Sequence, residues 1–254
     1  MGALHEGHRA LVAASAEACE VTVVSVFVNP LQFDDPADLA AYPRTLEADL
    51  HLAEGAGARL CFVPPVEELY PSGRPEVRVD PGPIGAVLEG ASRPGHFAGV
   101  ATVVAKLLAL VRPDAAFFGE KDYQQLVLVR RLVADLSFPV EVVGVETVRE
   151  GDGLALSSRN RRLSAAERAA APALHEALVA GQAVLLGGGS PSSAASAMRA
   201  LLEAAPLVET DYAVVRGADD LAEVGDGDRL DALRLLVAAR VGPVRLLDNL
   251  GVRR

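Results

Sequence analysis

The chain has 254 residues, half of them hydrophobic, with 24 Lys and Arg against 34 Asp and Glu and a formal net charge of −10. That length and apolar fraction suffice for a large core in one large or two unequal domains. The acidic balance argues against nucleic acid as a partner, because it repels phosphate backbones unless basic residues gather on one face.

Cys19 and Cys61 are too few for a disulfide framework and stand at no metal spacing, so they read as buried apolar filler. No apolar run is expected to reach the roughly 18 residues that cross a bilayer; the longest candidate, Gly99 to Val111, carries Lys106. No basic-then-apolar leader opens the chain. A soluble, cytoplasmic protein without a membrane partner is expected.

The opening, Met1-Gly2-Ala3-Leu4-His5-Glu6-Gly7-His8, sets two imidazoles three apart around a glycine at a helix start. Backbone N–H groups and the positive end of the dipole favour a phosphate there, and the imidazoles can hold charge that develops on it. The same pair also suits a plain helix cap, and the short motif occurs by chance. A strand would normally deliver such a loop. None precedes Met1, so either another segment supplies that edge or the chain is truncated.

Arg9 to Ala18 reads as a helix and Val21 to Val28 as a buried parallel strand, stopping at Asn29-Pro30. A long loop, Leu31 to Pro43, carries Gln32, Asp34 and Asp35 near its start. Arg44 to Glu54 reads as helix, ended by Gly55 and Gly57, and Arg59 to Val63 as strand. Pro64 to Pro94 is proline-rich and irregular, with a weak strand near Val77 and a short helix near Ile84 to Leu88; such stretches often lid a site.

His96 to Val111 reads as a buried helix, broken at Arg112-Pro113-Asp114. Ala115 to Phe118 is a strand, Gly119 to Asp122 a turn, Tyr123 to Leu136 a helix and Val140 to Val145 a strand. This alternation predicts an α/β fold: a Rossmann-like parallel sheet with helices on both faces.

The character changes after Val148. A polar loop, Arg149 to Arg162, leads to the capping box Ser164-Ala165-Ala166-Glu167 and an Ala-rich helix that Pro172 is expected to kink. Gly187 to Ser193 reads as a flexible turn before a helix to Ala204. Asp211 to Val215, Leu235 to Arg240 and Val244 to Asp248 complete a smaller C-terminal α+β domain, with Val241-Gly242-Pro243 able to turn a hairpin. The domains divide as 1–148 and 149–254.

In an open parallel sheet the ligand sits outside the carboxyl ends of the strands. Asn29 and Gln32, Lys121 and Asp122, and the His5/His8 loop all fall on that edge, and Gln125 lies one helical turn past Asp122. Singly each has a structural explanation: a turn, an N-cap, a solvated lysine, a surface amide. Their agreement on one edge points to a site. Ser157-Ser158-Arg159-Asn160 adds hydroxyls and a guanidinium suited to phosphate oxygens.

These residues resemble the pantothenate synthetase family, the pantoate–β-alanine ligases of the HxGH nucleotidyl-transfer superfamily. The likeness covers nearly the whole chain. It rests on residues 1–8, Phe-Val-Asn-Pro-Leu-Gln-Phe at 27–33, Ala-Tyr-Pro-Arg at 41–44, His-Phe-Ala-Gly-Val at 96–100, Phe-Phe-Gly-Glu-Lys-Asp-Tyr-Gln-Gln at 117–125 and Ser-Ser-Arg-Asn at 157–160.

The resemblance implies that ATP and (R)-pantoate form pantoyl adenylate and pyrophosphate, after which β-alanine displaces AMP. It implies an ATP site of Met1, Gly2, Ala3, Leu4, His5, Glu6, Gly7 and His8, with His8 as the acid and His5 beside it. Gly119, Glu120, Lys121, Asp122 and Val148 would contact the nucleotide, and Leu156, Ser157, Ser158 and Arg159 would close over its phosphates. Gln32 and Gln125 would hold pantoate, with Asn29 in the same substrate site and Gln32 near the incoming amine.

His5, His8 and Lys121 are the expected catalytic donors. Mg2+ accompanying ATP and a homodimer are implied too, with the metal ligands unassigned; Asp49 can approach magnesium but reads as an exposed helical carboxylate. The family normally has a strand and a Pro-Thr pair before the first methionine, so a central strand is expected to be missing here. Leu156 stands where methionine is common, a volume-conserving change.

Two other readings share the His motif. A nucleotidyltransferase of the same superfamily would join a nucleotide to a substrate phosphate, against which the neutral amides of Asn29, Gln32 and Gln125 argue. A nucleotide-binding module would bind ATP without turnover.

Overall fold

The computed structural model describes residues 2–33, 39–40, 42–228 and 231–253. Met1, Asp34, Asp35 and Ala41, all named above, lie outside them. The chain divides into two compact units, Met1–Glu146 and Thr147–Arg254.

In the first unit, α1 (Glu6–Ala18) leads to β1 (Val23–Ser25), and α2 (Leu46–Gly55) to β2 (Leu60–Phe62). The two strands pair in parallel, Val23 opposite Leu60 and Ser25 opposite Phe62. β1 is shorter than the β-branched run suggests because Val21 sits 52% exposed before it and Asn29 turns the chain after it. Val24 and Val26 are buried with Leu4, Val12 and Ala53 in one core cluster.

No strand forms near Val77, which is 88% exposed among the prolines of that stretch. Short helices take its place on either side: α3 (Val66–Leu69), a 3-10 turn over Gly82–Ala86 and α4 (Glu89–Ser92). Gln124 clamps this segment, donating from Nε2 to Ile84 O and Val87 O at 2.8 Å each and accepting from Glu89 N–H at 3.0 Å.

α5 (His96–Val111) buries most of His96 to Leu108 because its sequence is apolar on nearly all sides, while Leu110 and Val111 in its last turn are exposed. It packs with Leu69, Tyr70, Leu128, Val129 and Leu132 in a second cluster. β3 (Ala115–Gly119) connects through α6 (Tyr123–Asp135) to β4 (Glu141–Val145), and the strands pair in parallel from Ala115–Glu141 to Gly119–Val145. Among the described residues the parallel strands form two pairs, β1–β2 and β3–β4, flanked by helices, in keeping with an α/β fold expected to lack a central strand.

The second unit opens on a short hairpin bridged between Arg149 and Ala155. Arg149 donates to both carboxylate oxygens of Asp248, at 2.6 and 3.0 Å, and to Gly153 O at 2.9 Å. Arg168 ties down the same hairpin through Glu150 and Asp152, at 2.6 Å each. The Ser164–Glu167 capping box starts α7 (Ala165–Ala170), and the chain turns at Ala171-Pro172 before α8 (Ala173–Leu186).

Together Ala165–Leu186 make a 22-residue stretch long and apolar enough to cross a membrane, which overturns the expectation that no such run exists. The reason for its composition is packing: Leu174, Ala177, Leu178 and Leu185 are buried in the core of this unit. At Gly181 a Cβ would come within 2.6 Å of Leu235 Cδ2, so the helix backbone packs directly against the Leu235 side chain there.

Gly187 to Ser193 carries the chain out of α8 into the next helix. Ser190 caps α9 (Pro191–Ala204), and Ser192 donates to Asp226 from its hydroxyl at 2.6 Å. β5 (Val208–Gly217), β6 (Ala232–Val241) and β7 (Val244–Arg253) form an antiparallel sheet, the last two joined across Gly242-Pro243, with Gly242 at φ 56°. The two cysteines are half-buried, not fully buried, since Cys19 caps the end of α1 and Cys61 sits in the short β2.

Candidate functional site

The His loop is built by its own backbone. His5 is the N-cap of α1, and its Nδ1 accepts from Gly7 N–H at 3.1 Å; Nδ1 of His8 accepts from His5 N–H at 3.2 Å. A backbone N–H can only donate, so both Nδ1 atoms are unprotonated and each neutral ring carries its proton on Nε2. The cap and the phosphate reading are thus compatible: capping sets the tautomer that a phosphate oxygen requires.

Burial, with His5 adding to it, pushes the His8 pKa down to about 4, against the opposing pull of Asp122 and Asp49. His8 is therefore neutral near pH 7, a hydrogen-bond donor without a net charge. The two rings lie 4.1 Å apart between centroids.

Asp49 corrects the sequence reading. It is 3% exposed and accepts from Ala3 N–H at 3.0 Å, Leu4 N–H at 2.7 Å and Thr45 Oγ1 at 3.0 Å. These bonds hold Ala3 in the left-handed region at φ 51°, a conformation that costs a non-glycine residue on the order of 1 kcal/mol. The carboxylate is an anchor for the loop, and its place inside α2 hides that in sequence. Tyr42 Oη adds a long bond to Gly2 O at 3.5 Å, and a Cβ on Gly2 would sit 3.4 Å from Val28 Cγ2. The loop thus runs along the carboxyl end of β1. Glu6 faces solvent and pairs with Arg9 at 3.2 Å.

At that same strand end, Asn29 is 2% exposed and Gln32 half-buried. Asn29 Nδ2 donates to Gly99 O at 3.1 Å and to Gln32 Oε1 at 3.3 Å. The carbonyl of Gln32 accepts from Arg93 Nη2 and lies at the same 3.0 Å from His96 Nδ1. Gly99 permits this approach, since a Cβ there would be 2.3 Å from Leu31 O. A cleft of about 230 Å³ lies beside the turn, lined by Leu31, Phe33, Arg74, Arg78, Gly95 and Gly99. The proline-rich composition around Arg74 and Arg78 gave no signal for them.

Lys121 follows β3, its Nζ 3.5 Å from Asp122 Oδ1, with the lysine side chain 20% exposed and the aspartate 54%. Asp122 stands at the N-cap position of α6 but makes no side-chain cap bond there. Its charge is felt at His8, which places the β3 loop and the His loop in one neighbourhood. Gln125 is half-buried one residue past the internally bonded Gln124. Gly119 and Glu120 complete the turn into the 3-10 segment.

Val148, Leu156, Ser157, Ser158 and Arg159 belong to the second unit. Val148 O accepts from Leu156 N–H at 2.9 Å across the hairpin. Ser157 Oγ accepts from Arg159 N–H at 3.2 Å, and Asn160 Nδ2 donates to Glu150 Oε1 at 3.0 Å and Ala155 O at 3.1 Å. Ser157 and Asn160 brace the turn, while Ser158 and Arg159 stay exposed.

The chain resembles known proteins along nearly its whole length. The chain is 53% identical over 252 residues to the pantothenate synthetase of Nocardia farcinica, covering 99% of this chain and 77% of that one. It is 53% identical over 254 residues to that of Salinispora arenicola, covering 100% and 89%.

Among solved structures, the pantothenate synthetase of Thermus thermophilus matches with a TM-score of 0.92 at 52% identity, over 98% of this chain and 90% of that one. The pantoate-β-alanine ligase of Francisella tularensis, complexed with beta-gamma ATP and β-alanine, matches with a TM-score of 0.78 at 32% identity, over 98% and 86%. The sequence pattern described as Pantoate-beta-alanine ligase fits residues 1–251, and with that span and those identities the chain belongs to the pantoate–β-alanine ligase family.

Proposed function

We propose that the chain condenses (R)-pantoate with β-alanine in two steps, the first of which consumes ATP. The pantoate carboxylate attacks the α-phosphorus of ATP and pyrophosphate leaves; the amine of β-alanine then attacks the acyl carbon and AMP leaves. The substrate supplies the nucleophile in each step, so the protein's contribution is placement and stabilisation of charge. The observation that carries the reading is the pair of Nε2–H donors that the helix cap fixes on His5 and His8.

In this reading His5, His8 and Lys121 stabilise the charge that grows on the phosphates, with Gly2 to Gly7 and Gly119 to Asp122 around the nucleotide. Gln32 and Gln125 hold pantoate through neutral amides, whereas Asn29, placed in the substrate site by the sequence, is buried with its amide bonded to Gly99, Gln32, Leu31 and Tyr70 and braces Gln32 instead. Met1, Val148 and Leu156 to Arg159 are assigned to the nucleotide on the family likeness alone. ATP enters as its magnesium complex. Asp49 does not fit a metal-ligand role, because backbone N–H groups and a hydroxyl occupy its oxygens. A cytoplasmic homodimer belongs to the same proposal, supported by the likeness to the family.

Product analysis tests it. Pantoate alone should drive exchange of labelled pyrophosphate into ATP, and AMP should accumulate in step with pantothenate only when β-alanine is added. Transfer of a nucleotide to a substrate phosphate, or ATP binding with no turnover, would overturn the proposal in favour of a nucleotidyltransferase or a binding module.

A further inference from the structure

Tyr70 is a buried polar group for which the reaction steps above have no use. It follows α3 and is 4% exposed, packed in the core with Phe97 and Val100. Its hydroxyl lies 2.9 Å from Asn29 Oδ1. An amide oxygen only accepts, so the phenol donates. Burial pushes the Tyr70 pKa up to about 12, which keeps that proton in place at any working pH.

The orientation of the Asn29 amide is settled by groups that cannot change role. Its Oδ1 also accepts from Leu31 N–H at 3.2 Å, and its Nδ2 donates to Gly99 O at 3.1 Å. The remaining Nδ2 proton points to Gln32 Oε1 at 3.3 Å. With its oxygen turned towards Asn29, Gln32 presents Nε2, a pure donor, on its other side.

We infer that Tyr70 is a positioning residue for the hydroxy-acid substrate: through Asn29 it holds the Gln32 amide with its donor face towards the ligand. This rests on the proposal that Gln32 binds pantoate. A flipped Gln32 would set a carbonyl oxygen against the lone pairs of a hydroxyl or carboxylate oxygen. The relay Tyr70–Asn29–Gln32 removes that alternative without touching the substrate and without adding charge. Hydrogen bonds in such chains polarise one another, so loss of the first donor weakens the last.

Tyr70→Phe removes the hydroxyl and keeps the ring. Steady-state kinetics should show KM for pantoate rising about five- to tenfold, the size of one neutral hydrogen bond, with KM for ATP changed less than twofold. Preference for pantoate over the analogue lacking its 2-hydroxyl should narrow by a similar factor.

Asn29→Asp keeps both acceptor contacts, abolishes the donors to Gln32 and Gly99, and should raise KM for pantoate further. If Tyr70→Phe lowers the melting temperature but moves both KM values in parallel, or leaves the pantoate KM and the analogue preference unchanged, the relay is refuted. If the unsubstituted chain does not respond to pantoate, the functional proposal itself has failed.

Discussion

The two units use their polar side chains differently. Around the His loop of the first unit, neutral side chains are oriented by bonds to backbone or to a backbone-anchored amide: His5 and His8 through Nδ1, and Gln32 through Oε1 to Asn29. In the second unit, charged groups close on one another, as Arg149 with Asp248, Arg168 with Glu150 and Asp152, and Arg245 with Asp211. The first pattern orients donors for a ligand and the second fastens loops to a core. The difference separates residues whose loss should cost activity from those whose loss should cost stability.

The largest stability effect is expected at Asp248, 3% exposed and paired with Arg149. Asp248→Ala leaves a guanidinium without its carboxylate and should lower unfolding free energy by about 3–5 kcal/mol, read by urea denaturation; a change below about 1 kcal/mol would show that the pair does not hold the hairpin.

Next comes His8→Ala. It removes an oriented donor and should slow pantoate-dependent ATP–pyrophosphate exchange on the order of 10²–10³-fold, while the urea midpoint moves far less than for Asp248→Ala. Near-normal exchange would remove His8 from the chemistry.

Asp49→Asn keeps the size of the side chain but loses one acceptor for the loop, and should destabilise by about 1–3 kcal/mol while raising KM for ATP. An unchanged KM with lowered stability would reduce Asp49 to a stability role.

His8 also links the site to pH. Its folded-state pKa of about 4 lies below its ordinary 6.5, so between those values the unfolded chain binds more protons than the folded one. Stability should therefore rise with pH from 4 to 6.5, and His8→Gln should flatten part of that rise. Melting curves at pH 5 and pH 6.5 with the same slope in both proteins would contradict the shift.

The smallest effect is expected at Ser164→Ala, which opens the capping box of α7 and should cost about 1 kcal/mol with no change in the exchange rate. A loss of exchange would mean that this cap matters beyond its own helix.

Much of the architecture was legible because it follows local pattern. His96 to Val111 is helical over the length its apolar run suggests, and the Ser164–Glu167 box and the Gly242-Pro243 turn appear where their residue types require them. Val77 misled because β-propensity counts only when a partner strand is available, and the prolines around it provide none. Asp49 misled because its neighbours in sequence are exposed helical residues, whereas its carboxylate meets backbone 45 and 46 positions away.

By itself the sequence determined the family, the alternation of strand and helix in the first half and the residue types at the site, since all three rest on short-range spacing and composition. Tertiary structure decided which atom of each residue bonds to the protein itself. The Nε2 tautomers of His5 and His8 follow from backbone geometry at one helix end, but the direction of the Gln32 amide depends on Tyr70 and Gly99, distant in the chain. A hydrogen bond reports only the atoms within about 3 Å of it, and it is the fold that brings those atoms together.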